Sequence, residues 1–192
     1  MSHFIYSTEA ILLGDMPSGE DNRLYFLLTE KLGFVMAQAT GVRLLKSKLR
    51  YHLSLFAHLD IELVRGKNIW RIVNAYPREA ENFYNTPHAP LFARLSQLIR
   101  RFVHGEEENK RLFDEVKNAR EMLFENSLSR EEEDSVEIVS VARILGSLGY
   151  FSAEKYAPIL TGPLSKKTLS LVAPLRRELA LDINSALKES QL

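Results

Sequence analysis

The stretch Leu59-Asp60-Ile61-Glu62-Leu63 alternates apolar and acidic residues without a break, and Val64-Arg65-Gly66-Lys67-Asn68-Ile69-Trp70 runs on from it. Leu59, Ile61 and Leu63 fall on one side of an extended chain and Asp60 and Glu62 on the other, the period of a strand with one buried face. This places a strand within Leu55–Val64, a turn at Arg65-Gly66-Lys67-Asn68 and a further strand over Ile69–Tyr76. Upstream, Thr8 to Gly14 is a short apolar run closed by Gly14-Asp15-Met16-Pro17-Ser18-Gly19, a dense cluster of turn formers. Arg23–Thr29 is a second run, and Lys31-Leu32-Gly33 joins it to Phe34–Thr40 as a hairpin. Five short strands in residues 1–76 predict a small barrel or sandwich.

At Pro77 the period changes. Leu91, Leu95, Leu98 and Phe102 share one helical face, and Leu112, Val116, Ala119 and Leu123 repeat the pattern. Ser129-Arg130-Glu131-Glu132 reads as a capping box opening a third helix with Ile138, Val141, Leu145 and Leu148 inward, and Gly149 near its end. A turn-rich piece with Pro158, Gly162 and Pro163 follows. Pro174 then sits near the start of a last helix carrying Leu175, Leu179, Ile183 and Leu187. The expected fold class is α+β in two domains, a β domain over residues 1–76 and an all-helical domain over residues 77–192.

The composition, 45% hydrophobic and 26% charged, is that of a chain able to bury a core. There are no cysteines, which removes disulfides, thiolate nucleophiles and cysteine-ligated zinc. No apolar run has the length of a membrane span, and Glu9 interrupts the first apolar stretch, so neither a span nor a signal peptide is expected. The 25 cations and 25 acids cancel, yet unevenly. Residues 1–41 carry −3, residues 42–80 carry +5, residues 81–135 carry −4 and residues 136–192 carry +2.

The basic excess is sharpest in Gly41-Val-Arg43-Leu-Leu-Lys46-Ser-Lys48-Leu-Arg50, between the third and fourth strands. Long cationic side chains of this kind displace counterions from nucleic-acid phosphates; the same four cations also serve to solvate a connector. The segment lacks the second glycine of a nucleotide P-loop and is one residue short of it. Of the nearby aromatic residues Tyr25, Phe34, Tyr51, Phe56, Trp70 and Tyr76, about two in three are expected inside the barrel. Tyr25 and Tyr51 are the preferred stacking platforms for bases. The five histidines are scattered, and the acidic runs Glu106–Glu108 and Glu131–Asp134 sit where helices begin and favour the helix dipole. No catalytic constellation and no metal or cofactor site is expected.

Thr8-Glu9-Ala10-Ile11-Leu12-Leu13-Gly14, Gly19-Glu20-Asp21-Asn22-Arg23-Leu24, Leu28-Thr29-Glu30-Lys31-Leu32-Gly33, Gly41-Val42-Arg43 with Lys46-Ser47-Lys48-Leu49, and Leu59 to Lys67 before Trp70 follow one another in an order that resembles the bacterial RecO family. Ala142 to Tyr150 resembles that family's internal helix ending in Leu-Gly-Tyr, and Ala186-Leu187-Lys188-Glu189-Ser190 its C-terminal element, more loosely. The resemblance implies an N-terminal OB-fold, a helical second domain and a non-enzymatic, cytoplasmic recombination mediator. Such a protein binds single- and double-stranded DNA, anneals complementary strands, and works with RecR and single-strand binding protein (SSB) to load RecA. It makes Arg43, Lys46, Lys48 and Arg50 the favoured DNA contacts, with Arg23, Arg65, Lys67 and Arg71 secondary. Arg100, Arg101, Arg143, Arg176 and Arg177 are candidates for the acidic tail of SSB. Many members carry a four-cysteine zinc site after the Leu-Gly-Tyr helix; this chain has no cysteine there, so zinc is not implied, and separately Thr40 stands where a lysine is common. The alternative is a protein–protein adaptor that does not touch DNA.

Overall fold

A computed structural model of the chain describes residues 4–79, 83–125, 127–152 and 154–189. Strands β1 (Ile5–Ser18), β2 (Asn22–Thr29), β3 (Gly33–Ala39), β4 (His58–Arg65) and β5 (Trp70–Pro77) close into a barrel in the order β1-β2-β3-β5-β4. All neighbours are antiparallel except β3 and β5, which pair in parallel with Ala37 opposite Trp70 and Gln38 opposite Arg71. This is the five-stranded OB arrangement, and the barrel, not the sandwich, is the outcome.

Two boundaries differ from the sequence reading, each for a physical reason. β1 runs through the expected turn cluster, because a register shift between Leu12 and Gly14 lets Met16, Pro17 and Ser18 pair with Leu24, Arg23 and Asn22. The true turn is Gly19–Asp21. β4 begins at His58 and not at Leu55, because the preceding residues cross β1: the Phe56 N–H donates to the Leu12 carbonyl, and the Leu12 N–H donates to the Ala57 carbonyl, both at 3.0 Å.

The barrel strands explain their own sequence patterns. Ala10, Leu12, Tyr25 and Leu27 fill the barrel interior with Leu59, Ile61, Leu63 and Trp70. Ile11, Leu13, Phe26 and Leu28 point outward into a second core shared with helices. β1 and β2 are buried on both faces and read as unbroken apolar runs; β4 alternates because its outer face carries exposed Asp60 and half-buried Glu62.

After the one-turn helix α1 (Leu49–His52) in the β3–β4 connector, the helices are α2 (Ala89–Phe102), α3 (Lys110–Glu125), α4 (Arg130–Ser147), α5 (Ala157–Leu160), α6 (Lys166–Val172) and α7 (Arg176–Glu189). Phe92, Leu95 and Ile99 of α2 and Leu112, Phe113 and Val116 of α3 bury against the outer face of β1 and β2. α4 opens on the capping box, with Ser129 Oγ accepting from the Glu132 N–H and Glu132 accepting from the Ser129 N–H. Its Val136 and Ile144 join the barrel-side core, while Val139, Ala142 and Leu145 meet Ile159, Val172, Leu179 and Ile183. The turn-rich piece holds two short helices that its prolines and glycine do not announce, and the last helix starts at Arg176, after a 3-10 turn that contains Pro174. Ser165 caps α6 by accepting from the Thr168 N–H, and buried Leu169 and Val172 hold so short a helix in place.

Barrel and helices are clasped by ions. Arg120 of α3, 1% exposed, donates from Nε to the Phe56 carbonyl at 2.7 Å and from both terminal nitrogens to Glu79 at 2.9 and 2.8 Å. Phe56 is the one non-glycine among the described residues with positive φ, 65°, a conformation that costs roughly 1–2 kcal/mol and that Arg120 and the surrounding rings hold. His58 lies between Glu9 and Glu79, its Nε2 3.0 Å from the first and its Nδ1 3.5 Å from the second. Arg78 and Lys117 also pair with Glu9. Burial raises both carboxyls, but the hydrogen bond to His58 and the cations outweigh it and hold Glu9 and Glu79 below the usual carboxylate value of 4.5. Their contribution to stability is therefore complete above about pH 4.5 and lost as pH falls through the lowered folded values. Two outcomes are expected. E9Q and E79Q flatten the acid limb of the stability–pH profile measured by urea unfolding, and R120A costs about 3–5 kcal/mol at pH 7 by leaving a carboxylate and a carbonyl unpaired.

Candidate nucleic-acid interface

The β3–β4 connector is braced, not loose. Gly41 turns it with φ 64°, and its N–H donates to Asn22 Oδ1 at 2.8 Å. Val42 is buried, the Arg43 N–H donates to the Asp21 carbonyl at 3.0 Å, and Arg43 Nη1 donates to the Glu20 carbonyl at 2.6 Å. The connector is thereby laced onto the β1–β2 turn. Arg43, Lys46, Lys48 and Arg50 are all placed along it, and among the described residues none of the four is ion-paired with a carboxylate. Arg43, Lys46, Lys48 and Arg50 are all exposed. Arg43 and Arg50 meet Arg23 around a hollow of about 470 Å³ whose floor includes Tyr25 and Asp15. Three cations far apart in sequence are so brought to one depression.

The secondary cations fall elsewhere. Arg23 is ion-paired with Asp15. Arg65 is held by Glu106 at 2.6 Å and lies over the Trp70 ring at 5.1 Å. Lys67 is exposed in the β4–β5 turn, and Arg71 is exposed on β5 opposite Gln38. Arg65, Lys67 and Arg71 lie at the β4–β5 turn and the β3–β5 seam, and none of them lines the hollow at Arg43 and Arg50.

Of the two expected stacking residues one is exposed and one is buried. Tyr51 is 71% exposed at the connector's helical turn, but Tyr25 is 3% exposed inside the barrel, because the β2 alternation points it inward beside Leu27. Trp70 is buried with Tyr25 inside the barrel, whereas Phe56 and half-buried Phe34 pack in the helix-side core, so two of the six aromatic residues, not four, fill the barrel; Tyr76, with His52 at 6.4 Å between ring centres, is the second exposed ring. Burial first, and then the Asp15 charge, push the Tyr25 hydroxyl up to about 12 against the opposing pull of Arg23.

The five arginines expected to receive a partner's tail do not form one surface. Arg143 is 2% exposed: its guanidinium donates to the Ile159 carbonyl at 2.6 Å and the Gly162 carbonyl at 2.9 Å and pairs with Glu115. It is a structural post between α4 and the segment after α5, and its place on the helix face turned to α5 gives it no outward reach. Arg176 spans from α7 to the Glu131 carbonyl and Asp134 at the start of α4, while Arg177 is exposed. Arg100 and Arg101 do meet, in a cleft of about 660 Å³ between the β2–β3 face and the end of α2. Phe26, Phe34, Met36 and Trp70 wall it, and the Arg100 guanidinium lies 3.8 Å from the Phe26 ring centre, next to Gly14, where a side chain would press on it. Strands β2 and β3 and the β4–β5 loop are the ligand-binding side of OB barrels. The signal in the sequence that marks this cleft is Phe26 and Phe34 on neighbouring strands of one hairpin, a pairing that the reading by charge alone leaves aside.

The acidic runs separate. Glu131–Glu133 occupy the first turn of α4, as expected, whereas Glu106–Glu108 lie in the loop before α3, whose first turn is capped by Asn109. Among the described residues no cluster of three or more His, Asp or Glu is arranged to hold a metal ion.

Residues 1–79 match the family described as Recombination protein O N terminal. The barrel domain is similar to the N-terminal part of RecO proteins. Similar curated proteins, each named DNA repair protein RecO, include that of Roseiflexus sp. strain RS-1, 34% identical over 111 residues (57% of this chain, 39% of the relative). That of Dehalococcoides mccartyi is 42% identical over 64 residues (33% and 25%), and that of Acaryochloris marina 35% over 96 residues (47% and 33%). The matches thus span less than half the length of these relatives. Among the described residues no helix is long and apolar enough to cross a membrane.

The buried tyrosine of the barrel has a direct readout. In an alkaline absorbance titration the Tyr25 phenolate is expected to form near pH 12; Y25F removes that step and D15N lowers its midpoint.

Proposed function

We propose that this protein is a DNA repair and recombination mediator that acts by binding and catalyses no reaction. The observation that carries this reading is the braced connector on a RecO-type OB barrel, with four cations that no carboxylate of the described residues neutralises. From Lys31 to Leu59 the sequence holds no acidic residue at all. Arg43, Lys46, Lys48 and Arg50 grip phosphates of single- and double-stranded DNA, Tyr51 offers a ring to a base, Arg23 joins them at the hollow, and Arg65, Lys67 and Arg71 are a secondary group of phosphate contacts. Phosphate contacts carry no sequence information, so binding is sequence-tolerant. Screening the repulsion between two strands while leaving base edges free is the route to annealing. In this reading residues 1–76 are the DNA-binding unit and residues 77–192 the partner-facing unit. RecR and SSB assist in loading RecA, and the setting is the cytoplasm. The acidic, aromatic-ended tail of SSB fits the Phe26–Phe34 cleft at Arg100 and Arg101, where an apolar wall meets two guanidinium groups.

Oligonucleotide binding followed by fluorescence anisotropy is expected to weaken steeply with salt. Changing Arg43, Lys46, Lys48 and Arg50 together to Ala flattens the log–log slope by roughly 0.7 for each phosphate no longer neutralised on single strands. An unchanged slope removes the connector from the interface. For the tail, R100A/R101A is expected to weaken binding of an SSB C-terminal peptide while R177A leaves it unaltered; equal affinities for wild type and both variants would place the tail elsewhere.

A further inference from the structure

Leu45 is 83% exposed at the outermost part of the connector, and Leu44 beside it is 39% exposed. The two do not hang from a flexible loop. The Leu44 N–H donates to the Gly41 carbonyl at 3.1 Å, the Ser47 N–H donates to the Leu44 carbonyl at 3.0 Å, and Arg43 is tied by backbone and side chain to the β1–β2 turn. A braced turn therefore displays an aliphatic side chain between Arg43 on one side and Lys46 on the other, with Lys48, Arg50 and Tyr51 following. Single exposed leucines are common on protein surfaces and need no explanation. Here a hydrogen-bonded turn holds one out between Arg43 and Lys46, which pair with no carboxylate of the described residues; Glu20 and Asp21 lie on the β1–β2 turn that braces it, and the four cations of the connector outnumber them in meeting a polyanion.

We propose that Leu45 is a wedge: it enters between two neighbouring bases of a bound single strand while Arg43 and Lys46 hold the phosphates on either side. The inference rests on the DNA-binding reading above and adds to it a specific act, the unstacking of a base step. Apolar side chains inserted between bases are an established way for proteins to separate them, the cost of unstacking being offset by the larger surface that the reshaped strand buries on the protein. A strand opened in this way loses its own hairpins and stacks and presents its pairing edges, which is the state in which a complementary strand finds it.

The test uses the full chain and a single-stranded oligonucleotide with one 2-aminopurine between adenines, whose fluorescence rises when the base is unstacked. At saturation and low salt the wild-type protein is expected to raise the fluorescence severalfold. L45A is expected to bind with the same salt slope and lose most of that rise, and L45F to restore it. Because Leu45 is exposed, unchanged thermal unfolding of L45A is expected and excludes a folding defect. An equal rise with L45A at saturation overturns the wedge, as does saturable binding by the wild type without any rise; both leave the DNA reading intact. Absence of oligonucleotide binding by the wild type overturns the DNA reading and the wedge with it. Sedimentation with phosphatidylserine–phosphatidylcholine vesicles is the last arm. If L45A loses vesicle binding but not base unstacking, the side chain is a membrane contact and the proposal fails.

Discussion

The guanidinium of Arg120 is the point on which the two halves of the molecule depend. It leaves α3 among apolar neighbours, satisfies the carbonyl of Phe56 in its left-handed conformation, and takes both oxygens of Glu79 just past the last strand. Through Glu79 it connects to His58, and through His58 to Glu9 of β1, so one chain of charges crosses from helix to barrel. A buried charge is tolerable only when its hydrogen bonds are all placed, and this requirement fixes where α3 lies along the barrel. The apolar faces of β1 and β2 supply the adhesion; the ions supply the register.

That docking has a consequence for binding. α2 and α3 cover the outer face of β1 and β2, and the end of α2 forms the far wall of the cleft beside Phe26 and Phe34. The barrel's strand face is thereby narrowed to a slot with two arginines at its rim, while the basic connector stands on a different part of the barrel, laced to the β1–β2 turn. The connector's cations border a shallow hollow, and the cleft is walled by aromatic rings, so the two surfaces differ in shape as well as in charge.

Much of the fold is legible along the chain. The alternation from Leu59 to Leu63, the hairpin at Lys31-Leu32-Gly33 and the box at Ser129–Glu132 each rest on interactions within a few residues, and each is found where the sequence places it. Tyr25 and Arg143 depart from their expected places because their chemistry suggests an outward role while the pleat of β2 and the face of α4 turn them inward. Arg120 leaves one trace, a cation four residues after Val116 on an otherwise apolar helical stripe, but a sequence does not say whether such a residue finds a partner.

The five strands and the four long helices, the β-then-α division, the polarised charge and the absence of cysteine chemistry can all be read from the chain without coordinates, because each is a property of local pattern or of composition. Three-dimensional packing was needed to close the strands into a barrel, to bring Arg23, Arg43 and Arg50 to one hollow, to set Arg100 and Arg101 against an aromatic cleft, and to leave Leu45 in solvent. Those facts depend on pairings between residues tens of positions apart. Strand closure and buried ion pairing set them, and neither leaves a periodic mark on the chain.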